Sequence, residues 1–60
     1  MSNLKYYGIY QSPSENNGNP YIGEPEASVS DVYKKSNTSG ITLITYFTTE
    51  EEAKEYIESI

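Results

Sequence analysis

The sequence predicts a small α+β domain: a three-stranded, mostly antiparallel sheet with one or two helices packed on one face. Three observations predict it. Residues 41–47 (ITLITYF) are almost all β-branched or aromatic and read as a strand. They run directly into TTEEEAKEYIESI, which reads as a capped amphipathic helix. Upstream, LKYYGIY and a second short apolar run flank a turn-rich loop, the pattern of a hairpin.

Residues 1–3 are expected to be loose. Residues 4–10 form the first strand, with Leu4, Tyr6 and Tyr10 on one face and Lys5, Tyr7 and Ile9 on the other. Gly8 lies within it. A glycine there either marks a bulge or leaves room beneath a packed aromatic ring, and the second is the simpler reading. Residues 11–20 (QSPSENNGNP) make a loop in which Asn17-Gly18 is a strong turn dipeptide. Small polar loops of this kind are more often connections than sites. Residues 21–23 give the return arm of the hairpin, and Pro25 suits the first turn of a helix or the loop before it.

Residues 28–35 (SVSDVYKK) favour a short helix. Ser28 is the cap, Asp31 stands in the first turn, Val29, Val32 and Tyr33 make an apolar face, and Lys34 and Lys35 close the C-terminal end. A strand is the alternative, but its alternation would set Asp31 in line with Val29 and Tyr33. Residues 36–40 form a turn. Asn37-Thr38-Ser39 matches the N-glycosylation triplet, which without a secretory signal reads as accidental.

In the strand at 41–47, Ile41, Leu43, Thr45 and Phe47 share one face, and Thr42, Ile44 and Tyr46 the other. Neither face is fully polar, so a central position in the sheet is expected. The helix after it opens on a capping box, Thr49 with Glu52 three residues on. Glu50, Glu51 and Glu52 set negative charge against the positive end of the helix dipole. Ala53, Tyr56, Ile57 and Ile60 form one apolar stripe, and Glu50 and Lys54 are spaced for an ion pair.

Sixty residues make a single domain, 1–60, with a thin core. At this size one core supplies roughly 3–5 kcal/mol, and a homodimer is one way to bury more. With neither Cys nor His, disulfides, thiolate or imidazole catalysis and Cys/His zinc sites are excluded. No signal-peptide core or long apolar run is present, so a cytoplasmic protein without membrane attachment is expected. The net charge is −5, from four lysines, no arginine and nine acidic residues. That balance argues against general affinity for nucleic acid, where phosphate contacts need clustered cations.

The carboxylates are the numerous reactive groups. Glu51, Glu55 and Glu58 line one helical face, which reads first as solvated surface and second as a contact for a basic partner. No enzymatic activity, cofactor or metal is expected. Gly8, Gly18, Gly23 and Gly40 are too scattered for a phosphate loop. Seven tyrosines against one Phe and no Trp are unusual. Tyr6, Tyr7, Tyr10 and Tyr21 could offer stacking rings on an exposed sheet face, although packing is the simpler role.

Two stretches resemble the viroplasmin-like domain found at the N-terminus of many eukaryotic-type ribonucleases H. Tyr6-Tyr7-Gly8-Ile9-Tyr10 is similar to its opening strand. Phe47, Thr49, Glu51, Glu52, Ala53, Tyr56 and Ile57 match its closing strand and helix. The resemblance implies the order strand, short strand, helix, strand, helix, and binding of duplex RNA or RNA–DNA hybrid through basic and aromatic residues. Where that family has a basic linker this chain has QSPSENNGNP, and it has no tryptophan before its first helix.

Three functions follow as expectations. The first is a non-catalytic protein-interaction module of accessory or inhibitor type, with phage-like compactness, whose contact surface is the tyrosine-rich sheet face or the acidic helix. The second is a nucleic-acid-binding module using Lys5, Tyr6, Tyr7 and Tyr10. The third is an acidic DNA mimic presenting Glu51, Glu55 and Glu58 to a DNA-binding protein.

Overall fold

Strand β1 (Tyr7–Gln11) runs through the middle of the sheet in a computed structural model that describes residues 4–38 and 40–60. On one side it pairs antiparallel with β2 (Tyr21–Ile22), Ile9 opposite Ile22 and Tyr10 opposite Tyr21. On the other side it pairs antiparallel with β3 (Thr42–Phe47), from Tyr7 opposite Phe47 to Gln11 opposite Thr42. Helix α1 (Val29–Ser36) connects β2 to β3, and helix α2 (Glu50–Glu58) follows β3. The α+β class, the three antiparallel strands and the two helices are as expected. Residues 1–3, and the Ser39 end of the glycosylation triplet, lie outside the described residues.

Three expectations are corrected. The first strand begins at Tyr7 and not at Leu4; Tyr6 joins the sheet through one bridge to Glu26 (both N–H···O distances 2.9 Å). The strand order is β2-β1-β3, so β3 is an edge and β1 is central. The helices divide between the two faces instead of sharing one. Tyr7 is opposite Phe47, and the Tyr56 ring of α2 stands 5.6 Å from that of Phe47. Gly8, on the opposite face, is paired with Tyr46, and the Tyr33 ring of α1 stands 6.5 Å from that of Tyr46. The cause lies in β1. Ile9 and Tyr10 are successive residues on opposite faces, both almost fully buried, so each face needs its own cover. Each contributes roughly 2 kcal/mol by burial. The half-apolar faces of β3 have the same origin: they border a helix on each side, not a strand on each edge.

Both helix starts follow local chemistry. Ser28 accepts the Asp31 N–H (3.3 Å), and its hydroxyl donates to the Asp31 carboxylate (3.1 Å). Thr49 repeats the arrangement with Glu52, at 3.3 and 2.9 Å. Each cap satisfies an N–H that the helix itself leaves free. The stripe on α2 buries Ala53 completely, leaves Tyr56 and Ile57 half-buried, and ends with Ile60 exposed. The loop after β1 folds back on itself. Asn16, Asn17 and Gly18 all have positive φ, and the Gln11 side chain donates to the Gly18 carbonyl (2.8 Å). Asn16, Asn19 and Pro20 then border a hollow shared with Ile57 and Ile60.

Candidate functional site

On the face that α1 covers, the tyrosines form two groups. The first is centred on Tyr10, which is 1% exposed. Its ring lies over two glycines. A Cβ on Gly8 would fall 2.5 Å from the Tyr10 Cζ and Oη, and a Cβ on Gly23 would overlap the same ring. The two glycines are neighbours across the hairpin, joined by the Gly23 N–H to the Gly8 carbonyl (2.9 Å). Together they form a bare floor on which the ring lies. Its hydroxyl donates to the Val32 carbonyl of α1 (3.3 Å), and Tyr21 packs beside it at 6.0 Å between ring centroids. The Lys35 ammonium stands 6.0 Å from the ring centre and pairs with Glu26 at 3.4 Å. Burial first, and then the nearby charge of Glu26 and the Tyr21 hydroxyl, hold the Tyr10 phenol above its ordinary value of 10.0. Tyr10 is therefore a core residue and not part of a contact surface.

The second group lies toward β3. Tyr6 meets Tyr46 edge-to-face at 6.0 Å, and Tyr46 meets Tyr33 edge-to-face at 6.5 Å. Tyr33 is 54% exposed. Tyr7 lies on the other face of the sheet, so Tyr6, Tyr7, Tyr10 and Tyr21 do not converge on one stacking platform. Glu51, Glu55 and Glu58 are exposed on the outer side of α2. Among the described residues no group of acidic side chains is arranged to hold a metal ion.

Beside the second group lies an open groove of about 470 Å³, bordered by Tyr33 and Ser36 of α1 and by Thr42, Ile44 and Tyr46 of β3. Its floor is the free edge of β3. Only β1 pairs with this strand among the described residues. The register shifts at mid-strand: Ile9 is opposite Thr45 while Tyr10 is opposite Leu43, so Ile44 is the extra residue of a bulge. A bulge re-aims a side chain, and Ile44 is 38% exposed beside the groove. Sequence reasoning missed Tyr33, Ile44 and Tyr46 as site residues. One signal marks the two on β3: no charged residue occurs from Ser36 to Thr49, in a chain that is 22% charged, whereas Tyr33 lies outside that run beside Lys34 and Lys35.

The cations are largely occupied. Lys34 pairs with Asp31 (3.9 Å), Lys35 with Glu26 and Lys54 with Glu50 (3.8 Å). Lys5 is exposed at the start of the sheet. Among the described residues no helix is long and apolar enough to cross a membrane. Comparison with protein-family models, with characterised proteins and with solved structures gave no match.

Proposed function

We propose that this chain is a non-catalytic protein-interaction module, a cytoplasmic accessory or inhibitor, whose contact surface is the free edge of β3 with the groove beside it. The observation that carries this reading is the edge itself. It is six residues long and holds neither a charge nor a proline. Edges that must stay single are blunted by charged side chains, prolines, shortness, bulges or cover, and of these β3 carries the single bulge at Ile44. A strand from a partner would gain backbone hydrogen bonds along β3 and side-chain contact with Tyr33, Ile44 and Tyr46. The pairing of three lysines with carboxylates, together with the net charge of −5, favours a protein partner over nucleic acid.

The test is capture of partners from nuclease-treated extract with the native chain and with Ile44→Lys as parallel baits. A stoichiometric protein that the native chain retains and Ile44→Lys loses supports the reading. Equal capture by both baits moves the contact elsewhere.

A second reading rests on the viroplasmin-like resemblance, whose implied order of elements agrees with β1, β2, α1, β3, α2. It predicts binding of RNA–DNA hybrid or duplex RNA that falls when Lys5 and Tyr7 are both replaced by Ala. Recovery from extract of nucleic acid alone would put this reading first.

A further inference from the structure

We infer that Asn17 is a modification site gated by its own loop. Shut, the loop holds the Asn17 side chain away from the Gly18 nitrogen. Open, it lets the two close on each other, and Asn17 becomes aspartate or isoaspartate.

The chemistry is that of an asparagine followed by glycine. The Gly18 amide nitrogen attacks Cγ of Asn17. The N–Cγ bond forms, the Cγ–Nδ2 bond breaks, and the amide proton leaves with ammonia. Water then opens the five-membered imide at either carbonyl, which leaves one added negative charge. Glycine makes the nitrogen accessible because no Cβ shields it. Asn17 is the only asparagine so placed. Asn19 precedes Pro20, whose nitrogen has no proton to lose. The Asn16 amide donates to the Pro20 carbonyl (3.2 Å). Asn17 is exposed, and a Cβ on Gly18 would meet nothing within 4 Å, so water and base reach the pair.

The shut loop nevertheless forbids the reaction. Asn17 has φ 57° and ψ 29°. Ring closure needs Cβ and the Gly18 nitrogen nearly eclipsed about the Cα–C bond. At this ψ they stand on almost opposite sides of it, so that bond must turn first. Three hydrogen bonds oppose the turn. The Gly18 N–H donates to the Glu15 carbonyl (2.8 Å), and the Asn19 N–H to the Asn16 carbonyl (3.0 Å). The Gln11 side chain donates to the Gly18 carbonyl (2.8 Å). The first bond also occupies the attacking N–H. The third latches the loop to the sheet, because Gln11 is the last residue of β1. It lies in water, where one bond stabilises little, so the loop opens at a lower free energy than the whole domain.

The two products differ in what they do to the fold. Aspartate keeps the chain length and tolerates the left-handed backbone, so the loop shuts again. Isoaspartate adds a carbon to the main chain inside the Glu15–Gly18 turn, and the turn and the Gln11 latch no longer form together. Asn16, Asn19 and Pro20 border the hollow with Ile57 and Ile60, so a loop kept open uncovers that end of α2.

The experiment follows intact mass and peptide maps of the native chain, Gln11→Ala and Thr49→Ala in mildly alkaline buffer, beside the native chain unfolded in urea. Asn17 should convert before any other asparagine. The native chain should convert at least about tenfold more slowly than the unfolded chain. Gln11→Ala should convert several-fold faster than native, whereas Thr49→Ala, which loses only the α2 cap, should match it. Opening the loop exposes little surface, so the native rate should stay nearly flat in urea below the unfolding transition. A native rate equal to the unfolded one overturns the inference. So does a Gln11→Ala rate no faster than that of Thr49→Ala, earlier conversion at another asparagine, or a native rate that climbs with urea in step with global unfolding. Circular dichroism checks that Gln11→Ala is folded; if it is not, the urea series on the native chain decides.

Discussion

The two halves of the face beneath α1 use the same residue type for opposite ends. Toward β2, Tyr10 lies on two glycines, bonds the α1 backbone and is sealed by Tyr21 and Lys35. Toward β3, Tyr6, Tyr46 and Tyr33 meet edge-to-face and leave Tyr33 half in water. The sheet edges differ in the same sense. β2 is two residues long, and Pro20 and Pro25 stand close to either end. β3 is three times as long and has a bulge as its only blunting device. A tyrosine over a glycine floor is an interior residue with a polar tip, whereas a tyrosine against other rings at a free edge is a surface with an apolar body. Stability belongs to the first half and availability to the second.

The largest test of that contrast is Gly23→Ala. Its Cβ overlaps the Tyr10 ring, so about 3 kcal/mol should be lost. In a domain with roughly 3–5 kcal/mol in hand, that leaves much of the chain unfolded, as thermal circular dichroism would report. Gly23→Ala placed on Tyr10→Leu should cost much less than on the native background, because the clashing ring is gone. Additive losses would mean that the ring is not what the glycine accommodates.

Next in size is Tyr10→Phe. It keeps the packing and removes the bond to Val32, at a cost of about 1 kcal/mol in urea unfolding. It also changes the response to alkali. The folded-state phenol titrates above the unfolded value, so folding favours its protonated form. That contribution is fully present below about pH 10 and is lost as pH rises through the folded value. Tyr10→Phe should therefore lose stability less steeply than the native chain above that pH. Identical alkaline slopes would show that Tyr10 titrates no differently when folded.

Thr49→Ala provides a reference of similar size away from both halves, about 1 kcal/mol from the lost cap. The smallest stability effect should be that of Tyr33→Ser, within about 0.5 kcal/mol, because the ring is half exposed. The same change should weaken partner capture. A large loss of stability with unchanged association would merge the two halves into one core and end the contrast.

Local chemistry is legible in the sequence itself. Ser28 with Asp31 and Thr49 with Glu52 mark both helix starts, because a cap is made within four residues. The run of β-branched residues marks β3, and the Gly8 reading, a small residue beneath a ring, matches the Tyr10 floor. The candidate site is less legible. Tyr10 and Tyr33 have the same side chain, and what separates them is whether a glycine pair lies beneath the ring. Gly23 is thirteen residues from Tyr10 in sequence, and only the hairpin register brings it under the ring.

What the sequence determined by itself is the set of elements, their caps, the missing chemistry of Cys and His, and the acidic balance, all of which depend on residue type or on neighbours a few positions apart. What the tertiary structure alone decided is the strand order, the division of the helices between two faces, and the exposure of β3. Those depend on which strand β1 meets on each side. A strand whose two faces both carry apolar residues reads the same whether a neighbouring strand or water lies along its edge, because side chains report the faces of a sheet and only backbone pairing reports its edges.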